Sequence, residues 1–209
     1  MTRENGGRST QPVSPAPADV MFPTAVRAAQ ARKGSAALYA DAVMADRITP
    51  KLGEFIAHVT SFYLGSASAD GQPYIQHRGG PPGFLRVVDD ETLTFADFTG
   101  NRQFITTGYL SENNKVFLFL MDYARRQRIK IWGTAEVIED DAKLLDSLMT
   151  EGYRARGEQV IRVHVTAWDV NCPQHIPQRI DAVDVERAIG ERDRRIEALE
   201  AEIASFKEE

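Results

Sequence analysis

The sequence predicts a mainly β fold with flanking α: an antiparallel barrel decorated by helices, with helices before it and a long heptad helix after it. Three observations predict it. Between residues 61 and 170, about six short runs alternate polar and apolar residues or are continuously apolar. They are separated by turn residues and follow one another in hairpin order. Before residue 61 the apolar spacing is helical instead. Near the C-terminus, Ile189, Ile196 and Ile203 recur every seven residues, with Leu199 and Phe206 three residues after two of them.

The elements follow in order. Residues 1–20 are rich in Gly, Ser, Thr and Pro without periodicity, which predicts a disordered tail. Residues 25–45 read as helical with an interruption at Gly34. Pro50 opens a second helix that carries Leu52, Phe55, Ile56 and Val59 on one face, with Thr49 as its N-cap. The period changes at residue 61. The strand that starts there reaches Asp70-Gly71, a hairpin turn signal. Strands are predicted at 73–78, 84–88 and 93–98, with Asp89-Asp90-Glu91 as a turn. A helix follows at 101–110, Asn101 serving as its N-cap.

Residues 115–123 are apolar enough for a fully buried strand. In 127–138, Arg128, Lys130 and Trp132 alternate with Ile129 and Ile131. A helix at 140–153 and a last strand at 159–170 complete the barrel. The predicted organisation is a tail over 1–20, one domain over 21–180 and a C-terminal helix over 181–209. The seam on that helix needs covering, either by its own domain or by a dimer partner.

Composition bounds the function. The chain has 209 residues, enough for one domain with a sizeable core. Its net charge of −5 gives no overall attraction to nucleic acid or an anionic membrane. The single cysteine, Cys172, excludes an internal disulfide and a cysteine-cluster metal site. Cys172 and His175 together make only half a zinc site. Arg3 and Arg8 have no apolar run behind them, so the expectation is a cytoplasmic chain without a secretory signal.

Two stretches read as one site. In 72–83, an alternating strand containing Gln76 and His77 ends in Arg78 and then glycines. In 96–103, a strand runs into a turn and helix start bearing Thr99, Asn101, Arg102 and Gln103. A cation at a strand end beside backbone N–H groups at a helix start suits a phosphate monoester, and so a nucleotide-like cofactor. No Ser/His/Asp or paired-carboxylate constellation competes with this reading.

Three segments carry a family resemblance: Leu64-Gly65-Ser66-Ala67-Ser68-Ala69-Asp70-Gly71-Gln72-Pro73, Phe95-Ala96-Asp97-Phe98-Thr99-Gly100-Asn101-Arg102-Gln103, and Arg126-Gln127-Arg128-Ile129-Lys130-Ile131-Trp132-Gly133. In this order and spacing the chain resembles the pyridoxamine 5′-phosphate oxidase-like, FMN-binding split-barrel proteins. Asn171-Cys172-Pro173-Gln174-His175-Ile176 is similar to a segment that follows the last strand in one branch of that superfamily.

The resemblance implies a homodimer of six-stranded antiparallel split barrels with two FMN sites at the interface. It implies that Arg78, Thr99, Asn101, Arg102 and Gln103 hold the phosphate, and that backbone around Gln76 and His77 faces the ring edge. Gln127 and Arg128 would approach the flavin from the partner subunit, and Arg128 and Lys130 would stabilise its reduced anion. The implied activity is electron or hydride transfer between NAD(P)H or another small organic donor and an acceptor such as oxygen. Gln103 stands where pyridoxamine phosphate oxidases have a second cation, and their C-terminal Arg-containing substrate segment is lacking. The expectation is therefore a flavoprotein of this family that does not oxidise vitamin B6. Alternatives are a non-catalytic flavin carrier or sensor, a binder of FAD, haem or deazaflavin, and a plain dimerising module.

Overall fold

The computed structural model describes residues 16–42, 44–170 and 173–208. Most of the predicted tail, and the Asn171-Cys172 pair, lie outside the described residues. Ahead of the sheet come α1 (Pro17–Met21), α2 (Thr24–Lys33), a 3-10 turn at Ala36–Tyr39 and α3 (Pro50–His58). Gly34 ends α2 in the left-handed conformation, donating its N–H to Ala31 and Gln30, as the interruption there predicted. Thr49 caps α3, its hydroxyl accepting from the Leu52 N–H at 3.2 Å. That helix buries Leu52 and Ile56 against the sheet.

Seven strands follow: β1 (Ser61–Ala67), β2 (Pro73–Gly79), β3 (Arg86–Val87), β4 (Thr92–Phe98), β5 (Lys115–Asp122), β6 (Gln127–Ile138) and β7 (Gly157–Val170). Between them sit α4 (Ile105–Glu112) and α5 (Ala142–Leu148), and α6 (Ala182–Glu208) comes last. They form one antiparallel sheet, flanked by helices, in the order β2-β1-β5-β6-β7-β4-β3. This is the split-barrel architecture, with the two-residue β3 as a short seventh strand.

Three expectations change. The strand predicted at 84–88 shrinks to Arg86–Val87, because Phe84 and Leu85 turn inward and are buried in the core. The helix predicted at 140–153 is cut to Ala142–Leu148, with Asp141 capping the Leu144 N–H at 2.9 Å. The order is also not purely hairpin-wise. β1 pairs with β5, and β4 pairs with β7, so β2 and β4 lie towards opposite edges of the sheet.

The sheet curls without closing, and side chains from its two sides pack together. Phe62 on β1 lies edge-on to Phe95 on β4, with ring centroids 5.3 Å apart, and stacks on Phe84 at 5.7 Å. These rings join Leu64, Leu118, Leu120, Ile131, Ile161 and Val163 in the main core. Gly133 marks a register shift between β6 and β7. A side chain there would collide with the His164 carbonyl. In the turn after β2, Gly80 lies so close to Phe84 that a Cβ would stand 2.6 Å from the ring. Ring packing, rather than approach to a ligand, is what requires that glycine.

Candidate functional site: a cleft where the sheet edges meet

Register sorts the residues of β2 between two faces. Arg78 pairs with the buried Phe62, and Gln76 with the buried Leu64, so Tyr74, Gln76 and Arg78 point inward. His77 lies opposite Tyr63, packs its ring edge-on against that tyrosine at 5.7 Å, and is exposed. His77 therefore presents its ring to the outer face of the sheet.

The inward face of β2 opens onto a cleft of about 310 Å³, closed on the far side by β4, the 100–104 loop, the start of α4 and Glu158 of β7. Six of the predicted residues line it: Gln76, His77, Arg78, Asn101, Arg102 and Gln103. Thr99, Gln127, Arg128 and Lys130 are not among its lining residues. Thr99 donates its N–H to the Arg156 carbonyl at 2.9 Å. Gln127 and Arg128 stand at the start of β6, opposite Asp122 and Met121 of β5. Lys130 pairs with Asp169 at 3.0 Å and lies over the Trp132 ring.

The helix predicted to begin at Asn101 begins at Ile105 instead. The Asn101 side chain accepts from the Gln103 N–H at 3.2 Å, an Asx turn rather than a helix cap. Arg102 and Phe104 both adopt positive φ, 59° and 51°, which breaks helical geometry up to Phe104. Phe104 occupies the N-cap and makes no side-chain cap. The first-turn N–H groups of α4 are thus left uncapped by any side chain, at the wall formed by Ile105, Thr106 and Thr107.

Arg78 is not a free cation. Its guanidinium Nη1 donates to Asp97 Oδ1 across the closing edges, and the two side chains are only 15% and 12% exposed. Gln159 Nε2 donates to the other Asp97 oxygen at 3.0 Å and to Thr107 Oγ1 at 2.8 Å. Burial pushes the Asp97 carboxyl above its ordinary value, against the opposing pull of Arg78 and Gln159. Arg78 Nε is buried without a hydrogen-bond partner among the described residues. Arg102 remains well exposed, 3.8 Å from Glu158 and above the Phe104 ring.

Sequence reasoning therefore missed Asp97, Gln159, Glu158, Thr106 and Thr107 as members of the site. Only Asp97 carried a signal. It is the one charged residue in the mainly apolar stretch Leu93–Phe98, where burial demands a partner. His175 has φ of 62° and does not line the cleft. Among the described residues, no cluster of three or more His, Cys, Asp or Glu could hold a metal ion. No helix among them is long and apolar enough to cross a membrane.

A family model for pyridoxamine 5′-phosphate oxidase matches residues 48–172, more than half of the chain, and the chain belongs to that family. The match runs from just before α3 to the end of the sheet and so encloses every residue of the cleft. The search of curated proteins found no match. Among solved structures, the chain is similar to HupZ of group A Streptococcus, with 21% identity and a TM-score of 0.49 over 64% of this chain and 99% of that one. It is similar to an FMN-binding protein of Syntrophomonas wolfei subsp. wolfei, with 11% identity and a TM-score of 0.47 over 69% and 97%. It is also similar to HutZ, a haem storage protein of Vibrio cholerae, with 16% identity and a TM-score of 0.41 over 59% and 94%.

Proposed function

We propose that this protein binds FMN in the cleft between β2 and α4 and acts as a flavin-dependent oxidoreductase. The observation that carries the reading is the uncapped amino end of α4 facing the same cleft as Arg78 and Arg102. Helix-start N–H groups and guanidinium groups both favour a phosphate, and together they define its end of the site.

The residues present fit such a group. Arg78 Nε is a buried donor still lacking an acceptor. Among the described residues, Arg102 on the rim has its charge close only to Glu158, so it can turn towards an anion. Asp97 holds Arg78 in place without competing for Nε. A cleft of about 310 Å³ is at the lower end for small-molecule sites, which run from about 300 to 1,000 Å³. One protomer thus supports the phosphate end and leaves much of a flavin ring to be covered by other groups.

We assign that cover to a second subunit, as a homodimer. The outer face of the sheet carries Ile75, Tyr63, Phe117, Phe119 and Trp132 side by side across β2, β1, β5 and β6. Ile75 and Tyr63 are exposed. Arg128 and Lys130 share this outer face, their inward neighbours Ile129 and Ile131 being buried. A partner docked there presents Arg128 and Lys130, with Gln127 at the start of the same strand, towards the other protomer's cleft. The flavin, when bound, supplies hydride and single-electron chemistry. The chain's part is then to bind the phosphate, exclude water with Phe84, Phe95 and Phe104, and offer cations to a ring that gains negative charge on reduction. No general base is required of it. A nicotinamide or small organic donor and oxygen or another acceptor complete the proposed reaction.

The test is an absorption spectrum of the purified protein, followed by titration with FMN. The expected result is a two-band flavin spectrum with FMN released on heating, and NADH- or NADPH-dependent bleaching. In Arg102→Ala, loss of one charge-assisted contact worth about 1.5–3 kcal/mol weakens FMN binding about ten- to a hundredfold. Unchanged affinity in that variant removes Arg102 from the phosphate site. A colourless protein that takes up no FMN removes the flavin, and a Soret band redirects it to haem. Flavin uptake without reduction by either nicotinamide leaves a carrier or sensor.

A further inference from the structure

The 27 residues of α6 stand apart from the barrel core. From Ala182 to Phe206 every residue is exposed except the half-buried Gly190. Its apolar positions are nonetheless regular. Taking Ile189, Ile196 and Ile203 as a positions puts Val185, Leu199 and Phe206 at d, with Arg192 the one charged residue in the d row. Ile189, Ile196 and Ile203 are 49%, 46% and 54% exposed, although isoleucine is among the residues most often buried. In proteins most helical stability comes from packing an amphipathic face, so an apolar stripe along this helix calls for a partner.

We propose that α6 pairs with α6 of a second copy of this chain as a parallel, in-register, two-stranded coiled coil. Two independent features choose this occupant. The first is core chemistry: β-branched isoleucine at a in three successive heptads, with Leu199 at d between two of them, favours two parallel strands. The second is charge. In register and parallel, Arg195 at g faces Glu200 at e of the other helix, and symmetry makes that pair twice. The antiparallel alignment that sets Ile196 against Leu199 instead brings Glu200 against the partner's Asp193, offsetting its pairing of Arg195 with Glu202. Arg192 makes one polar layer: in register it meets its own copy at a cost in stability, and a one-heptad shift sets it against Val185 or Leu199 instead. This pairing uses none of the cleft residues and does not depend on flavin binding.

The test is disulfide trapping in the full-length protein with Cys172→Ser, so that each variant carries one thiol. Leu199→Cys places that thiol at d, and Arg194→Cys places it at f on the outer side of the helix. With oxidised glutathione as the oxidant, the parallel pair yields covalent dimers from Leu199→Cys at least about tenfold faster than from Arg194→Cys, through effective concentration. Adding Ile196→Asp to Leu199→Cys returns the rate to that of Arg194→Cys. Equal rates for the d and f thiols overturn the pairing. Covalent dimers that form only when Ile196→Cys and Leu199→Cys proteins are mixed overturn the parallel orientation. Far-ultraviolet dichroism and FMN titration on the same samples report the barrel separately, so failure of the flavin reading leaves this result interpretable.

Discussion

Asp97 shows how one side chain can hold the fold and the site together. It sits on β4, near one edge of the curled sheet, and accepts from Arg78 on β2 at the other edge. Gln159 ties the same carboxyl to Thr107 in the first turn of α4. Because burial raises the carboxyl's pKa, the folded protein keeps a proton that the unfolded chain releases. The contribution of Asp97 to stability therefore falls as pH rises from the ordinary aspartate value of about 3.9 through the raised folded value, and levels above it. Asp97→Asn lacks that slope. Urea midpoints taken across the acid range should show the wild type losing ground to Asp97→Asn as pH rises, and parallel curves would mean that the carboxyl titrates normally. Arg78→Ala should cost about 3–5 kcal/mol at neutral pH, because it strands a buried carboxylate. Arg78→Lys keeps the charge and should recover part of that stability in the same urea measurement.

At the scale of elements, local chemistry explains most boundaries. Thr49→Ala removes the α3 cap and should lower stability by about 1 kcal/mol in urea unfolding. Gly133→Ala should cost about 1–3 kcal/mol by overpacking, since its methyl meets a backbone carbonyl across the β6–β7 register shift rather than a side chain that can move. A variant as stable as wild type would mean that the shift relaxes freely. The start of α4 escaped the sequence for a local reason. Asn101 is as good an Asx-turn residue as an N-cap, and its neighbours decide between the two. Here Arg102 and Phe104 take positive φ, which moves the helix start to Ile105 and leaves its first turn uncapped. That displacement also puts Ile105, Thr106 and Thr107, the first turn of α4, in the wall of the cleft.

For the whole molecule, the proposed barrel dimer makes the outer sheet face a point of control. Ile75→Asp together with Tyr63→Asp should halve the mass seen in solution if this face alone joins the subunits, and should weaken FMN retention alongside. If the helices also pair, the mass stays dimeric while flavin is lost, and removing the helix pairing with Ile196→Asp then yields monomers. Retained flavin in such a monomer would show that one protomer is sufficient for the site.

Read alone, the sequence determined the class of fold, most strand positions, the Thr49 cap, the Asp70-Gly71 hairpin and the heptad seam of α6. Each of these depends on residues close together in the chain: an alternation, a cap or a seven-residue repeat. It also marked the six cleft residues Gln76, His77, Arg78, Asn101, Arg102 and Gln103. Only the tertiary structure decided that β1 lies beside β5 and β4 beside β7, that His77 turns outward to Tyr63, and that Arg78 is matched by Asp97. Those outcomes depend on segments far apart in the chain, where pairing and burial of a charge are settled by the curl of the whole sheet rather than by any local pattern.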